Sequence, residues 1–228
     1  MGTKERYERV RQELDEVCRS CGRKPEEVTL VAVSKTVGPD EVANAIEGGA
    51  RDFGENRPDQ LVAKADEYPE ATWHFIGNIQ SRRIRDIVGR ASLVHSLFEE
   101  SHARKIDEVA RNKGVVQDVL IEVNVSGEES KSGLSPASVA QMIEACRDLP
   151  NVCVRGLMTM APQGDSEVAR ETFAGLARLR DELRAGMPAA EAASFTELSM
   201  GMSEDWREAV AEGATIVRVG RAIFSEQF

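Results

Sequence analysis

The sequence lacks any apolar run of the length that a membrane span requires. Residues 1–6 contain neither the apolar core of a signal peptide nor a serine or threonine where a myristoylation signal requires one. Positive charge is also in deficit, because 29 lysine and arginine residues face 39 aspartate and glutamate residues and the formal net charge is -10. That balance is the reverse of what binding to a phosphate backbone needs. We therefore expect a cytoplasmic protein with neither nucleic acid nor membrane as a partner.

Cysteine is too scarce and too scattered to indicate a redox or zinc site. Of the four cysteines, Cys18 and Cys21 form a C-x-x-C pair, while Cys146 and Cys153 stand apart. A redox pair would need a thioredoxin-like strand-to-helix context, and a zinc site would need a second close pair; neither is present. Cys18 continues an apolar stripe at helical spacing, which also contains Tyr7, Val10, Leu14, Val17 and Cys21. We predict that this pair is structural and buried.

Strand patterns and amphipathic helix patterns alternate along the whole chain. The predicted strands cover 28–33, 52–53, 73–76, 93–96, 119–125, 152–158, 196–198 and 215–219. The predicted helices cover 4–21, 39–46, 58–67, 82–88, 103–110, 136–147, 167–183 and 204–212, and an alanine-rich connection follows over 184–194.

This alternation predicts the fold class. Strands separated by helices of this length imply right-handed βαβ crossovers and a parallel sheet. Eight such units in 228 residues predict an α/β protein, a single (β/α)8 TIM barrel over residues 1–228 with an extra N-terminal helix. An open, doubly wound sheet is the alternative, because periodicity does not decide whether the sheet closes.

A lysine lies two residues beyond the end of the first predicted strand. Val28–Val33 has the composition of a strand buried on both faces, and Ser34 and Lys35 follow it. A cation at the tip of a buried strand either finds an anionic partner or tends to lose its proton. A neutral amine in a crevice is a nucleophile toward carbonyls, so Lys35 is a candidate for a Schiff base. The alternative is that its side chain simply reaches solvent.

Polar residues gather at the expected mouth of the barrel, where the carboxyl ends of the strands meet. The residues at the strand ends are Lys35, Glu55, Asn56, Gly77, Asn78, His95, Ser96, Asn124, Met158, Ser199 and Arg218. The loops after strands seven and eight commonly bind phosphate in such barrels, and here they contain Ser-Met-Gly-Met-Ser over 199–203 and Gly-Arg-Ala over 220–222. The alternative for these loops is ordinary turn and capping chemistry, with Ser203 as an N-cap.

A lysine amine and a phosphate site across one barrel mouth suit a phosphorylated aldehyde. Two classes qualify: an aldolase that forms a transient Schiff base with a sugar phosphate, and a protein that holds pyridoxal 5'-phosphate (PLP) as an internal aldimine. The positions of Lys35 and Arg218 favour the second class, because the first and last strands of a closed barrel are neighbours. Arg218 would then reach the pyridine nitrogen or the phosphate of the cofactor, the alternative being a surface ion pair.

Seven segments, in this order, are similar to the signature series of the pyridoxal phosphate homeostasis protein family. They are VAVSKT over 31–36, FGEN over 53–56, WHFIG over 73–77 with Gln80, SKSG over 130–133, RGLM over 155–158, LSMGMS over 198–203 and VRVG over 217–220. The series spans nearly the whole chain.

The resemblance implies a barrel related to the N-terminal domain of alanine racemase, and a monomer that buffers PLP without established turnover and delivers it to apo-enzymes. It implies that Lys35 carries the aldimine, that Asn56 lies beside the cofactor, and that Arg218 contacts the ring nitrogen or the phosphate. It also implies a phosphate site made by Ser199, Gly201, Met202, Ser203 and Gly220. Two departures affect only the rim: Arg57 stands where the family commonly has an aromatic residue, and Ser225 replaces a usual glycine.

The rival hypothesis is a PLP-dependent racemase. Racemisation needs proton donors on both faces of the substrate, and the sequence has only two tyrosines, Tyr7 and Tyr68, both outside the strand ends. His74 and His95 are more typical of packed, hydrogen-bonding strand residues than of bases. Lys131 is a possible second amine if its loop folds over the mouth. We therefore predict a carrier with no catalytic residue and no metal.

Overall fold

The computed structural model of the protein describes residues 1–128 and 131–228. The described strands are β1 (Thr29–Val33), β2 (Asp52–Glu55), β3 (Thr72–Phe75), β4 (Leu93–Leu97), β5 (Gln117–Glu122), β6 (Val152–Met158), β7 (Glu197–Ser199) and β8 (Ile216–Val219). The described helices are α1 (Thr3–Ser20), α2 (Pro39–Glu47), α3 (Pro58–Glu67), α4 (Ile84–Ile87), α5 (Glu100–Lys113), α6 (Val139–Arg147), α7 (Ser166–Ala185), α8 (Ala189–Ser194), α9 (Trp206–Ala211) and α10 (Arg221–Phe224).

The strands close into a parallel barrel in sequence order, from β1 to β8. The closing pair is β1 with β8, in which Val31 lies opposite Arg218 and Ala32 lies opposite Val219. This pairing confirms the predicted (β/α)8 barrel and rules out the doubly wound alternative. Since all strands run in one direction, their carboxyl ends share one mouth.

The extra N-terminal helix, α1, packs its apolar stripe into the core. Tyr7, Val10, Leu14 and Cys18 are buried, as the helical spacing predicts. Cys21 is exposed, so the prediction that both members of the C-x-x-C pair are buried was wrong for Cys21. The helix ends at Ser20, one residue before Cys21, and this leaves the second thiol on the surface. All four cysteines are free.

Several predicted segments differ from the structure in their bounds or in the kind of element they form. β5 ends at Glu122 rather than at residue 125, because the side chain of Asn124 accepts a hydrogen bond from the backbone N–H of Gly127 at 3.0 Å and turns the chain. The alanine-rich connection forms helix α8. The helix predicted over 82–88 is a 3-10 turn over Ser81–Arg83 followed by α4.

The barrel interior is part aliphatic and part polar. Val31, Leu93, Leu120, Met158 and Ile216 form an apolar cluster of their own, and such branched residues are the usual filling of a barrel of this size. Polar side chains are buried beside them, at Glu122, His74, His95, Ser199 and Arg218. No helix of the described residues is long and apolar enough to cross a membrane, and the same residues contain no cluster of potential metal ligands.

Replacement of Gly201, in the loop after β7, should be costly for two separate reasons. Its φ of +91° disfavours a side chain, and an added Cβ would lie 2.6 Å from Ala209 Cβ and 2.9 Å from Trp206 Cα. Gly213 has a similar φ of +95° but no atom within 4 Å of an added Cβ. We expect Gly201→Ala to lower the free energy of unfolding by about 1–3 kcal/mol more than Gly213→Ala does, because only the first adds overpacking to backbone strain. Urea denaturation of both variants measures the difference, and equal losses would contradict it.

Candidate functional site

Lys35 lies at the mouth, two residues beyond the end of β1. Its side chain is exposed, unlike Ser34 before it, which is fully buried. Among the described residues no ion pair includes Lys35. The side chain therefore reaches solvent, which is the alternative that the sequence left open. β1 ends at Val33, where the sequence-based prediction also ends it, and the amine two residues further on is open to a ligand that enters the mouth.

A buried ion pair holds the chain immediately before Lys35. Lys64 on α3 donates from Nζ to Glu55 Oε1 at 2.6 Å and to the backbone carbonyl of Ser34 at 2.8 Å. Ser34 Oγ donates to the same Glu55 oxygen at 2.6 Å. The side chains of Lys64 and Glu55 are 3% and 0% exposed. Ser34, the residue before Lys35, is thus held in place through both its side chain and its backbone carbonyl.

Arg218 on β8 is the charged residue at the centre of the site. Its side chain is 5% exposed, so the alternative of a surface ion pair is ruled out. Nη1 donates to Ser199 Oγ at 2.6 Å, and Nη2 donates to the carbonyl of Thr159 at 3.0 Å. A guanidinium has five N–H donors, so these two bonds fix its plane and leave donors for a ligand.

Two carboxylates moderate the cost of burying this cation. Burial lowers the pKa of Arg218 to about 10, and the negative charges of Asp205 and Glu122 oppose the fall. Burial also raises the pKa of Glu122, against the opposing charge of Arg218. The pKa of Asp205 is likewise raised by burial, while its hydrogen bond from the N–H of Met202 and the charge of Arg218 oppose the rise. Arg218 therefore remains a cation at neutral pH.

The loops after β7 and β8 meet around one hydroxyl. Ser203 Oγ accepts from the backbone N–H groups of Gly220 at 3.2 Å and of Ala222 at 3.4 Å. The carbonyl of Gly201 accepts from the backbone N–H of Arg218 at 2.9 Å, which ties the first loop to β8. An added Cβ on Gly220 would lie 3.3 Å from Val33 Cβ and from the Val33 carbonyl oxygen. These donors therefore lie beside the end of β1, close to where Lys35 leaves the barrel.

The remaining predicted residues occupy the rim and the floor of the mouth. Asn56 is exposed, and its backbone is in such close contact with Gly77 that a Cβ on Gly77 would lie 2.1 Å from the Asn56 carbonyl oxygen. Met202 is half-buried, whereas Ser199 is fully buried beneath Arg218 rather than in the loop that follows β7. The structure thus joins Ser199 to Arg218 and Ser203 to Gly220, as two separate hydrogen-bonded pairs.

The loop that follows β5 is only partly described, because Glu129 and the first residue of the SKSG segment, Ser130, lie outside the described residues. Lys131 Nζ donates to the carbonyl of Met160 at 3.2 Å and pairs with Glu128 at 3.1 Å. Met160 directly follows Thr159, whose carbonyl binds Arg218. The amine of Lys131 therefore lies on the side of the mouth formed by β6.

Four residues near the site were not predicted from the sequence as site residues: Lys64, Glu122, Thr159 and Asp205. Glu122 shares its inward direction with Leu120, so strand alternation alone could have placed it in the barrel. Lys64 lies on a helix at an apolar position, where sequence gives no sign of a buried partner. Thr159 contacts Arg218 through its backbone carbonyl, and Asp205 acts on Arg218 through its charge. No sequence pattern indicates either interaction.

These donors fit the three polar parts of PLP. A primary amine at the mouth suits an aldehyde, and a buried guanidinium suits a ring nitrogen or an anion. The Ser203 hydroxyl accepts from two backbone N–H groups and keeps its own proton to donate, which suits a phosphate. The glycine at 220 leaves the space that a side chain would fill. The fit rests on the chemistry of this donor set and on the adjacency of β1 and β8.

Comparison with known sequences shows which protein family the chain is similar to. The family model described as alanine racemase, N-terminal domain, matches residues 7–227. The pyridoxal phosphate homeostasis protein of Aquifex aeolicus is 39% identical over 100% of this chain and 99% of that protein. The protein of the same name from Escherichia coli K12 is 35% identical over 94% of this chain and 92% of that protein. This chain belongs to the pyridoxal phosphate homeostasis protein family.

Solved structures agree with this assignment. The structure of PipY from Synechococcus elongatus with PLP bound is 33% identical, with a TM-score of 0.80, covering 93% of this chain and 100% of that one. A protein from Bifidobacterium adolescentis, described as unknown, is 35% identical with a TM-score of 0.90, covering 97% of this chain and 94% of that one. Alanine racemase of Clostridium difficile, at 16% identity and a TM-score of 0.69, shares the fold.

Proposed function

We propose that this protein binds PLP covalently through Lys35 and holds it for delivery to cofactor-requiring enzymes. The observation that carries the proposal is the meeting of an exposed lysine, a buried arginine and a cluster of anion donors where β1 and β8 close the barrel. The names of the relatives and the PLP bound by PipY support the same conclusion. That the protein is a monomer with one domain stays a prediction.

Each residue has a distinct role in this proposal. The bound group supplies an aldehyde that condenses reversibly with a primary amine, with loss of one water. Lys35 provides that amine, and the Ser34–Glu55–Lys64 cluster holds its backbone in place. Ser203 and Gly220 bind the phosphate, with Gly201 and Met202 shaping the loop, while Asn56 lines the rim beside the ring.

Arg218 is proposed to face the ring nitrogen or the phosphate from below, with Ser199 fixing its plane. A permanent cation at a ring nitrogen would keep that nitrogen unprotonated and would weaken the ring as an electron sink. This arrangement favours storage of the cofactor over its use in catalysis.

The positions of the two tyrosines also favour a carrier over a racemase. Tyr68 lies between α3 and β3, and its hydroxyl donates to the carbonyl of Pro39 at 3.1 Å. Tyr7 is buried in α1; burial raises its pKa, and the charge of Asp52 at the start of β2 adds to the rise. The Tyr7 hydroxyl is buried near the start of β2 and the proton of the Tyr68 hydroxyl is bound to a backbone carbonyl, so neither is presented as a second proton donor opposite Lys35.

Two assays on the PLP-loaded protein distinguish the carrier from the racemase. A PLP enzyme stripped of its cofactor should regain activity when the loaded protein is added, while amino acids incubated with it in D2O should gain no deuterium at Cα. A matched sample of free PLP gives the rate of uncatalysed transfer. Sustained deuterium incorporation that disappears in Lys35→Ala would overturn the carrier proposal and establish an enzyme.

A further inference from the structure

A chain of four hydrogen bonds crosses the barrel interior and ends at Arg218. Arg218 Nη1 lies 2.6 Å from Ser199 Oγ, and Ser199 Oγ lies 2.8 Å from His95 Nδ1. His95 Nε2 lies 2.9 Å from His74 Nδ1, and His74 Nε2 lies 3.2 Å from Asp52 Oδ1. We call Asp52, His74, His95 and Ser199 the histidine relay. Asp52 is the first residue of β2, so the relay starts at the end of the barrel opposite the mouth.

One direction of proton donation gives every member of the relay a partner. Arginine is a donor only, so Ser199 Oγ accepts from Arg218 and gives its own proton to His95 Nδ1. His95 then holds its proton on Nε2 and donates to His74 Nδ1, and His74 donates from Nε2 to Asp52. The reverse direction would need an additional proton, on His74 or on Asp52, whose side chain is 28% exposed, and would leave the hydroxyl proton of Ser199 without an acceptor in the relay.

The charges around the relay agree with this direction. Burial lowers the pKa of His95 well below its ordinary value, and the neighbouring His74 and the charge of Arg218 lower it further. His95 is therefore neutral, as a ring that accepts on Nδ1 and donates from Nε2 must be. Arg218 can only donate and Asp52 Oδ1 accepts at the other end, so in this direction every intervening hydrogen bond points from Arg218 toward Asp52.

Simple filling of the core does not explain these residues. The rest of the interior cluster is aliphatic, and a buried polar chain stabilises a fold only if all its members are bonded. Among the described residues, Glu55 Oε2 and His102 Nδ1 are the buried side-chain atoms without a partner, and neither belongs to the relay. The buried atoms of the relay that the structure describes all have partners, and Arg218 links the relay to the mouth.

We propose that Asp52, His74 and His95 are positioning residues for Arg218. Their aligned hydrogen bonds hold the lone pair of Ser199 Oγ toward Nη1, and this fixes the guanidinium plane that a ligand meets at the mouth. Asp52 thereby influences the site from the opposite face of the barrel, without contact with the ligand. The expected effect on PLP binding rests on the proposed function. The expected tautomers of the two histidines are independent of that function.

The tautomers can be read directly by NMR. The sequence contains three histidines, so a protein labelled with 15N in histidine gives a sparse two-bond 1H–15N spectrum. The third, His102, is in α5 and can be assigned with His102→Asn. We expect both His74 and His95 as neutral Nε2–H tautomers at neutral pH in the protein without PLP. A proton on Nδ1 of either ring, or a doubly protonated ring, would refute the relay whether or not the protein binds PLP.

Substitution of Asp52 tests the coupling to the mouth. Asp52→Ala removes the acceptor of His74, and we expect altered ring shifts at His95 together with a PLP dissociation constant raised roughly 2- to 30-fold. Asp52→Asn keeps an acceptor oxygen and should restore most of both signals. Asp118→Ala is the matched control, because Asp118 lies near the start of β5 and pairs with Arg155 outside the relay.

Three outcomes separate the two proposals. If Asp52→Ala shows the same His95 chemical shifts and the same PLP affinity as Asp118→Ala, the positioning role is refuted. A wild-type protein that shows the expected tautomers but binds no PLP would refute the proposed function and leave the relay standing. If Asp52→Ala does not fold, the wild-type tautomers and the Asp52→Asn variant still decide the matter.

Discussion

Lys35→Ala should abolish covalent binding of PLP while leaving the fold intact. The side chain is exposed and belongs to no ion pair among the described residues, so its removal costs little stability. The loss of the amine removes the only group at the end of β1 that can condense with an aldehyde. We expect the visible absorbance of the PLP-loaded protein to disappear completely, and borohydride to leave no cofactor attached to the variant.

The control for this result is Lys105→Ala. Lys105 is an exposed lysine on α5 that pairs with Glu108, so it matches Lys35 in charge and exposure but not in position. We expect this variant to retain the full absorbance. An absorbance band that survives in Lys35→Ala at wild-type intensity would show that a different amine, such as that of Lys131, carries the cofactor.

Lys64→Met should destabilise the fold strongly. It leaves the Glu55 carboxylate buried without a counter-ion, and the loss of one partner of a buried pair costs about 3–5 kcal/mol. It also frees the carbonyl of Ser34, which precedes Lys35. We expect the midpoint of urea unfolding to fall accordingly, with an unchanged m value.

Two further variants show that the cost comes from the unpaired charge. The double variant Lys64→Met with Glu55→Met removes both charges, and we expect it to recover much of the lost stability, since apolar replacements of buried pairs are often neutral. Lys105→Met breaks an exposed pair, in which both side chains are close to half exposed, and should cost about 0–1 kcal/mol. A loss in Lys64→Met no greater than in Lys105→Met would show that the buried pair contributes nothing specific.

The fold was predictable because most of its signals are local. The bounds of α3 and β6 agree with the sequence-based prediction residue for residue, because a proline at the first position fixes the start of α3 and an asparagine turn precedes β6. Closure of the barrel was not decided by any pattern, because it depends on the pairing of β1 with β8, which lie almost 190 residues apart in the sequence.

The site was predictable in its charged and glycine residues but not in its contacts. Lys35, Arg218 and the two loops could be named because strand ends and glycines have sequence signals. The exposure of Lys35 could not be predicted, since it depends on the path of the chain beyond the strand end and on what packs around it. The links from Lys64 to Ser34 and from His95 to Ser199 join distant segments, and only the closed barrel brings those segments together.

Lys35 is proposed to be the residue that holds PLP. The most direct measurement is a peptide map, by mass spectrometry, of the wild-type protein loaded with PLP and reduced with borohydride. We predict one cofactor adduct per chain, on the peptide that contains Lys35. A protein that stays colourless with added PLP, or an adduct found on another lysine or spread over several, would contradict the account.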